Sequence, residues 1–451
     1  MPAAGLSWRR ALPVIALALA GFALTLRVFY PGVMTFDAWY VHKDIATGQA
    51  GDWQSPVQTA LWGLIEPLAP GAASMFVFIA VLYWLAFAAF GLALARRSAW
   101  VGIIAVVLAL TPPAFVFSGI IWRDVLLAAS WLFAAALAYA VAERKDAWRR
   151  VAQAVALAFL VFGFLMRPNG LFAAPIFAAY VLWPARFDLR RAALAYLPIA
   201  VVLAVLVPLV YYVMLNAKHQ NVLHSIFVFD LAGITHFTGE NQFPVTWSAE
   251  QNAMLTGPCY KPTDWDTYWT REPCLFVMKK LDAEKVFGSR ALFAAWLHAL
   301  ATHPLAYLEH RTAVMANFLF NQNLTMWTRD IAGADPDQTV FTDNSWFMAL
   351  KAINDRLAPT PLFRAGTWLL VCVVWCALGW RRRSTPEGAF LIGTSGSAVV
   401  YLATFFPAGV ASDFRYALWA VFAALAGATV LGANRASSRA KLQAGISPVP
   451  S

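Results

Sequence analysis

The chain has 451 residues and a net charge of +10; 60% of its residues are hydrophobic and 13% are charged. Soluble domains carry about 25% charged residues, so this composition excludes an ordinary soluble domain and implies a polytopic, all-α membrane protein. The positive charge lies in short interhelical loops and a tail, which argues against a basic nucleic-acid-binding face.

A helix needs roughly 20 apolar residues to cross the hydrocarbon core. In chain order, about ten stretches are expected to be transmembrane helices: 11–29, 71–95, 101–118, 125–142, 151–166, 169–184, 192–215, 363–380, 388–406 and 416–433. The fifth and sixth are short and are separated by Arg167-Pro168-Asn169-Gly170. They read either as two spans or as a shorter pair that does not fully cross. Basic residues near span ends set the orientation. With the N-terminus in the cytoplasm, Arg9, Arg10, Arg96, Arg97, Arg144, Lys145, Arg149, Arg150, Arg186, Arg190, Arg191, Arg381, Arg382, Arg383, Arg435, Arg439 and Lys441 all fall inside. Trp8-Arg9-Arg10 before an apolar run resembles a signal peptide, but no small-residue cleavage site closes it, so a retained first span is expected. The short loops suggest a bacterial inner membrane, multi-pass, with the other face in the periplasm.

The expected layout is an N-terminal transmembrane module at 1–215, with seven spans and a periplasmic first loop at 30–70. A larger, late periplasmic domain follows at 216–362, then a C-terminal module of three spans at 363–433. A disordered cytoplasmic tail occupies 434–451. Helices at 289–302 and 304–320, carrying His298, His303, His310 and Arg311, are expected to lie on the bilayer surface. Cys259 and Cys274 share the long outer segment, where an oxidising compartment permits a disulfide. Cys372 and Cys376 fall within a span and read as small packing residues. No cysteine pair has the company of zinc ligands. No cofactor is firmly implied, and the question of a divalent metal stays open.

Four polar constellations share the outer side. The first loop turns at Tyr30-Pro31-Gly32 and carries Asp37 just beyond the first span. Asp37 is suited to accept a proton from a hydroxyl attacking a lipid-linked donor; alternatively, Thr35 and Asp37 only cap the helical stretch 38–47. Asp52-Trp53-Gln54 adds a second acid and an aromatic ring on which a sugar can stack. Trp122-Arg123-Asp124 sits at the membrane edge, where Arg123 either binds a phosphate or neutralises Asp124. Arg167, beside Asn169, either meets an anion or snorkels to lipid headgroups. Asp413-Phe414-Arg415-Tyr416 forms a phosphate or sugar clamp or an interfacial anchor in which Arg415 bonds to Asp413. His236, Glu240 and Asn241 are lesser candidates. No Walker loop, dinucleotide glycine motif or Ser-His-Asp hydrolase spacing is present.

With these residues in view, the chain resembles the GT-C superfamily of membrane glycosyltransferases, whose relatives include protein O-mannosyltransferases and the aminoarabinose transferase of lipid A. The run Tyr30-Pro31-Gly32 through Asp37 to Asp52-Trp53-Gln54-Ser55-Pro56 and Leu61-Trp62 is similar to a stretch of bacterial members that reads Pro-Gly, Asp, Gln, Gly and Asp-Trp-His-Pro-Pro. Here Gln54-Ser55-Pro56 stands where those have His-Pro-Pro, and His42 replaces a frequent Gln. Arg123-Asp124, Arg167-Asn169 and Asp413-Phe414-Arg415-Tyr416 also resemble motifs of that group. The resemblance implies a polyprenyl-phosphate-linked sugar donor, a hexosyl or pentosyl transfer, and a glycan, lipid or protein acceptor. It implies a single inverting displacement with Asp37 as general base, the donor phosphate on Arg123, Arg167 and Arg415, and substrate contacts from Asp52, Trp53, Gln54, Asp124, Asn169, Asp413 and Tyr416. Two other classes stand beside it. A lipid or saccharide transporter or flippase predicts polar residues at mid-membrane and internal pseudo-symmetry, neither of which is visible. An O-antigen polymerase or ligase relies on arginines and a histidine in the late loop, whereas here the acids come early.

Overall fold

The structure, a computed structural model, describes residues 7–321, 324–328 and 341–443, with side chains as far as Ala433. Among the described residues the protein is all-α; only isolated bridges, such as Val33 with Ile120, pair extended backbone. Seven helices are long and apolar enough to cross a membrane: Trp8–Phe29, Ala72–Ala95, Arg123–Ala140, Ala147–Met166, Leu189–Met214, Pro386–Ala408 and Phe414–Ala433. The count becomes eight if the bent pair Arg290–Thr302 and Pro304–Phe320 is one span.

The other three expected spans are shorter, for local reasons. Pro112-Pro113 stop the stretch at 101–118, leaving an apolar helix Ala99–Leu110. Pro168 and Pro175 break 169–184, so only Ala174–Leu182 is α-helical. Ala365–Trp380 starts late, behind the turn Pro361–Phe363. At 1.5 Å per residue these rise only about 14–24 Å, less than the roughly 30 Å core.

Arg123–Ala140 is the central helix and packs between Ala72–Ala95 and Ala147–Met166. Its Trp131 is fully buried against Phe177 and Trp419, with ring centroids 5.3 Å apart in each pair. Leu189–Met214 is the outermost: only 6% of its apolar window is covered by protein, so the rest suits lipid. The basic loops gather at one end of the bundle. Arg10 donates to the Arg96 carbonyl, Arg96 to that of Ala140, and Arg97 pairs with Glu387. Tyr30, Arg123, Arg167 and Arg415 stand at the opposite helix ends.

The long segment has an apolar cluster of its own, running from Val228 to Val314, and the Cys259–Cys274 disulfide lies inside it with Cα atoms 5.6 Å apart. Helices Arg290–Thr302 and Pro304–Phe320 meet at 101° across His303. The polar residues of the second helix are not all exposed. His310 and Arg311 are fully buried against Asp230 of helix His224–Thr238, because a carboxylate there compensates them. The last helix continues to Gln443, into the tail expected to be disordered, since Ala, Arg, Lys and Gln favour helix. Residues 444–451 lie outside the described residues.

Candidate functional site

The first loop is built by turn chemistry. Pro31 ends the first helix, and Gly32 takes φ 107°, a left-handed conformation open to glycine; a Cβ there would also strike Phe76. Thr35 is the N-cap of helix Phe36–Thr47: its Oγ1 accepts from the Ala38 N–H at 3.3 Å and from Trp122 Nε1 at 2.9 Å. Thr35 therefore does the capping, and Asp37, in the first helical turn, points elsewhere.

Asp37 is held from two sides. Arg415 Nη1 lies 2.5 Å from its Oδ2, and Gln54 Nε2 donates to its Oδ1 at 2.9 Å. Loss of water around the carboxyl pushes its pKa up, but Arg415, then Arg123 and Arg167, outweigh this and hold it below the ordinary carboxylate value. Its side chain is still 34% exposed, so a reacting hydroxyl can reach it.

Arg415 is the hub. Besides Asp37 it faces Asp413, Nε to Oδ2 at 3.1 Å, and more distantly Asp124, at 3.9 Å. Its guanidinium lies over the Trp122 ring at 4.3 Å. Asp413 also accepts from the Arg415 backbone N–H at 3.1 Å, capping the turn that starts the last span. Burial pushes the Asp413 carboxyl up to about 6 despite Arg415.

Arg167 takes the partner that sequence adjacency suggested for Arg123. Its Nη2 sits 2.7 Å from Asp124 Oδ1, and its guanidinium lies 4.7 Å from the Tyr416 ring centroid. Ser55 and Tyr211 hydroxyls both donate to the Leu165 carbonyl, which fixes the chain entering Arg167. Arg123 instead donates to the Trp53 carbonyl at 3.2 Å. Asp124 cannot serve both neighbours: it is buried and turned toward Arg167 and Arg415.

A cavity of about 890 Å³ opens beside this cluster, between the spanning helix ends and the long segment. Asp52, Trp53, Gln54, Arg123, Arg167, Asn169 and Tyr416 line it. Asp37, Asp124, Asp413 and Arg415 are not among its lining residues; Gln54 joins Asp37 to the lining, and Arg167 joins Asp124 to it. Asp52 is engaged by Tyr212 Oη at 2.9 Å, by the Gln220 N–H at 2.8 Å and by His219 at 3.7 Å, which gives it a structural role in closing the loop.

Ser55, Trp122, Tyr211, Tyr212 and His219 were not singled out as site residues from sequence, although Trp122 and Ser55 stand inside the quoted motifs. His236 and Asn241 do not reach the site. His236 bonds the Thr256 carbonyl and stacks on Tyr260, while Asn241 staples the loop to Val245 and Trp247. His42 pairs with Glu66 at 3.0 Å. Among the described residues no group of three or more His, Cys, Asp or Glu side chains is arranged to hold a metal ion.

No protein-family model matches the chain, and no curated protein matches it significantly. Among solved structures it is similar to the archaeal oligosaccharyltransferase AglB from Archaeoglobus fulgidus in complex with an inhibitory peptide and a dolichol-phosphate. Identity is 10%, the TM-score 0.41, and the match covers 99% of this chain and 53% of that one. It is also similar to the Archaeoglobus fulgidus oligosaccharyltransferase tethered with an acceptor peptide, at 12% identity and TM-score 0.42, covering 99% and 52%. The apo form of that enzyme matches at 14% and 0.38, covering 97% and 53%. The chain thus spans about half the length of these neighbours.

Proposed function

We propose that this protein is a membrane glycosyltransferase that moves a sugar from a polyprenyl-phosphate-linked donor to an acceptor hydroxyl at the outer face of a bacterial inner membrane. The observation that carries the reading is the field around Asp37. Three arginines from three separate helix ends, Arg123, Arg167 and Arg415, act on one carboxylate at the border of a large cavity. Basic residues are disfavoured on the outer side, so an anionic ligand gives such a gathering a purpose. A polyprenyl phosphate keeps its tail in lipid and its phosphate near the headgroup plane, and the sparsely covered helix Leu189–Met214 contributes Val207, Tyr211 and Tyr212 to the cavity.

The chemistry follows from the charges. The acceptor oxygen attacks the anomeric carbon, its proton passes to Asp37, and the bond from that carbon to the phosphate oxygen breaks with the electron pair leaving on phosphate. Asp37 is ionised at neutral pH and so ready to accept the proton. Arg123 and Arg167, which line the cavity, stabilise the charge growing on phosphate. The transfer inverts the anomeric centre because one displacement occurs.

The test uses purified protein in nanodiscs with synthetic polyprenyl-phosphate hexose and pentose donors, radiolabelled in the sugar, and membrane extract as acceptor source. The reading expects release of polyprenyl phosphate and movement of label, both lost in Asp37→Asn. It fails if the donors neither bind nor are consumed.

A further inference from the structure

A second, smaller cavity of about 290 Å³ lies on the other side of Gln54, which together with Trp53 lines both spaces. Its character is opposite to the first. Three indoles border it: Trp53, Trp265 and Trp269. Trp265 and Trp269 stack with an interplanar angle of 13° and centroids 5.9 Å apart, and Trp53 leans on both, at 5.5 and 6.1 Å. Asp44, Asp282 and Gln220 supply polar atoms, and no lysine or arginine is among its described lining residues.

We infer that this cavity is a saccharide subsite that takes a neutral sugar ring of the acceptor, so that the acceptor is a glycan or glycoside. The inference rests on the transferase reading for the word acceptor, but the subsite itself stands on its own chemistry. Asp44 and Asp282 in a lining without lysine or arginine disfavour phosphate, which separates this cavity from the arginine-lined one. The C–H face of a pyranose carries partial positive charge and meets the electron-rich face of an indole. Carboxylate and amide groups around the rim accept and donate to its hydroxyls. The volume is at the small end of ligand pockets, roughly 300–1,000 Å³.

The platform is also prepared in advance. The Trp265 backbone N–H donates to the Val410 carbonyl at 2.9 Å, next to the Asp413–Arg415 turn, and the Trp53 backbone N–H donates to Gln220 Oε1 at 2.8 Å. With the backbone tied and the three rings packed on one another before binding, little freedom is lost when a sugar arrives. Gln54 then connects a sugar on the indoles to Asp37, the group proposed to take the acceptor's proton. The near-parallel pair Trp265 and Trp269 suits a sugar face better than a quaternary ammonium, which prefers rings on several sides.

The probe is an equimolar mixture of the methyl glycosides of glucose, galactose, mannose, N-acetylglucosamine and arabinose. Saturation-transfer NMR is run on the full chain in nanodiscs without donor, and choline is measured separately. At least one glycoside is expected to receive saturation. Affinity is expected to fall about tenfold in Trp269→Ala, whose ring is 36% exposed and not needed for the core, and to recover in part in Trp269→Phe. No glycoside signal, a signal unchanged in Trp269→Ala, or binding of choline alone overturns the subsite. A glycoside signal lost in Trp269→Ala supports it even where no lipid donor is turned over. Donor turnover onto a peptide with no glycoside signal overturns this inference and leaves the transferase reading intact.

Discussion

Arg415 reaches Asp37 across 2.5 Å, although 378 positions separate them. The contact ties the start of the last span to the first loop and leaves the other carboxylate oxygen of Asp37 to Gln54. Asp37→Asn keeps the size and the amide contact but removes the charge. Transfer is expected to fall about 10²–10⁴-fold, the usual cost of losing a general base. Single-turnover kinetics with labelled donor measure it. Near-normal turnover in a correctly folded variant counts against Asp37.

Arg123 and Arg167 are expected to separate in their effects. Arg123 donates to a backbone carbonyl, that of Trp53, whereas Arg167 neutralises buried Asp124. Arg123→Gln is expected to weaken donor binding by about 2–5 kcal/mol, the cost of removing a charged partner from desolvated phosphate, with little change in melting. Arg167→Gln is expected to do both, since breaking a buried pair costs about 3–5 kcal/mol. Equal melting temperatures for the two variants contradict that division.

The long apolar helices and the polar clusters at the helix ends opposite the basic loops were legible in the sequence, because hydropathy and basic-residue bias act over tens of residues. The short helices were not. At 169–184 the composition is that of a span, but Pro168 and Pro175 cut the helix to Ala174–Leu182, and hydropathy is blind to that. Partnership within the site was equally hidden. Arg123-Asp124 reads as a pair because the residues are adjacent, yet neighbours on a helix do not face each other, and Asp124 turns to Arg167. Nothing in the sequence ties Trp265 and Trp269 to Trp53; the fold brings the three rings together.

The pH response of stability carries a signature of Asp413. Its carboxyl is raised by burial from the ordinary 3.8 to about 6. Between those values the folded protein holds a proton that the unfolded chain has released. Stability from this group is therefore fully present below about pH 4 and declines as pH rises to about 6, by on the order of 2–3 kcal/mol. Asp37, lowered, acts in the opposite sense and loses its contribution as pH falls. Melting curves of wild type and Asp413→Asn across this range isolate the Asp413 part. A difference between the two that does not vary with pH rules out the assignment.

Reduction of the Cys259–Cys274 bond, or its replacement by Cys259→Ser with Cys274→Ser, is expected to loosen the long segment around it. The bridge closes a loop with a sequence separation of 15, for which the chain-entropy model gives about 3 kcal/mol. Mass spectrometry of alkylated, non-reduced protein detects the bridge, and limited proteolysis reports the loosening. Two freely alkylated thiols would refute this.

The last prediction concerns a pair far from the cavity. Asp230 and Arg311 are both fully buried, 2.7 Å apart, and Arg311 Nη1 also donates to the Gly409 carbonyl at 2.7 Å. Gly409 opens the short segment that ends in Asp413 and Arg415. Arg311 is thus a positioning residue: it holds the stem from which the hub arginine projects. Arg311→Met leaves Asp230 buried with only Trp296 Nε1 at 2.8 Å and His310 at 3.4 Å to answer it, so a loss of about 3–5 kcal/mol in stability is expected. Adding Asp230→Asn removes the stranded charge and should restore most of that loss, because a buried ion pair replaced on both sides is often close to neutral. It does not restore the hold on Gly409. The double variant is therefore expected to melt near the wild-type temperature yet transfer sugar about tenfold more slowly, as small misplacements of a catalytic group do, with donor binding little changed. A double variant as unstable as Arg311→Met, or one with full activity, removes Arg311 from this role.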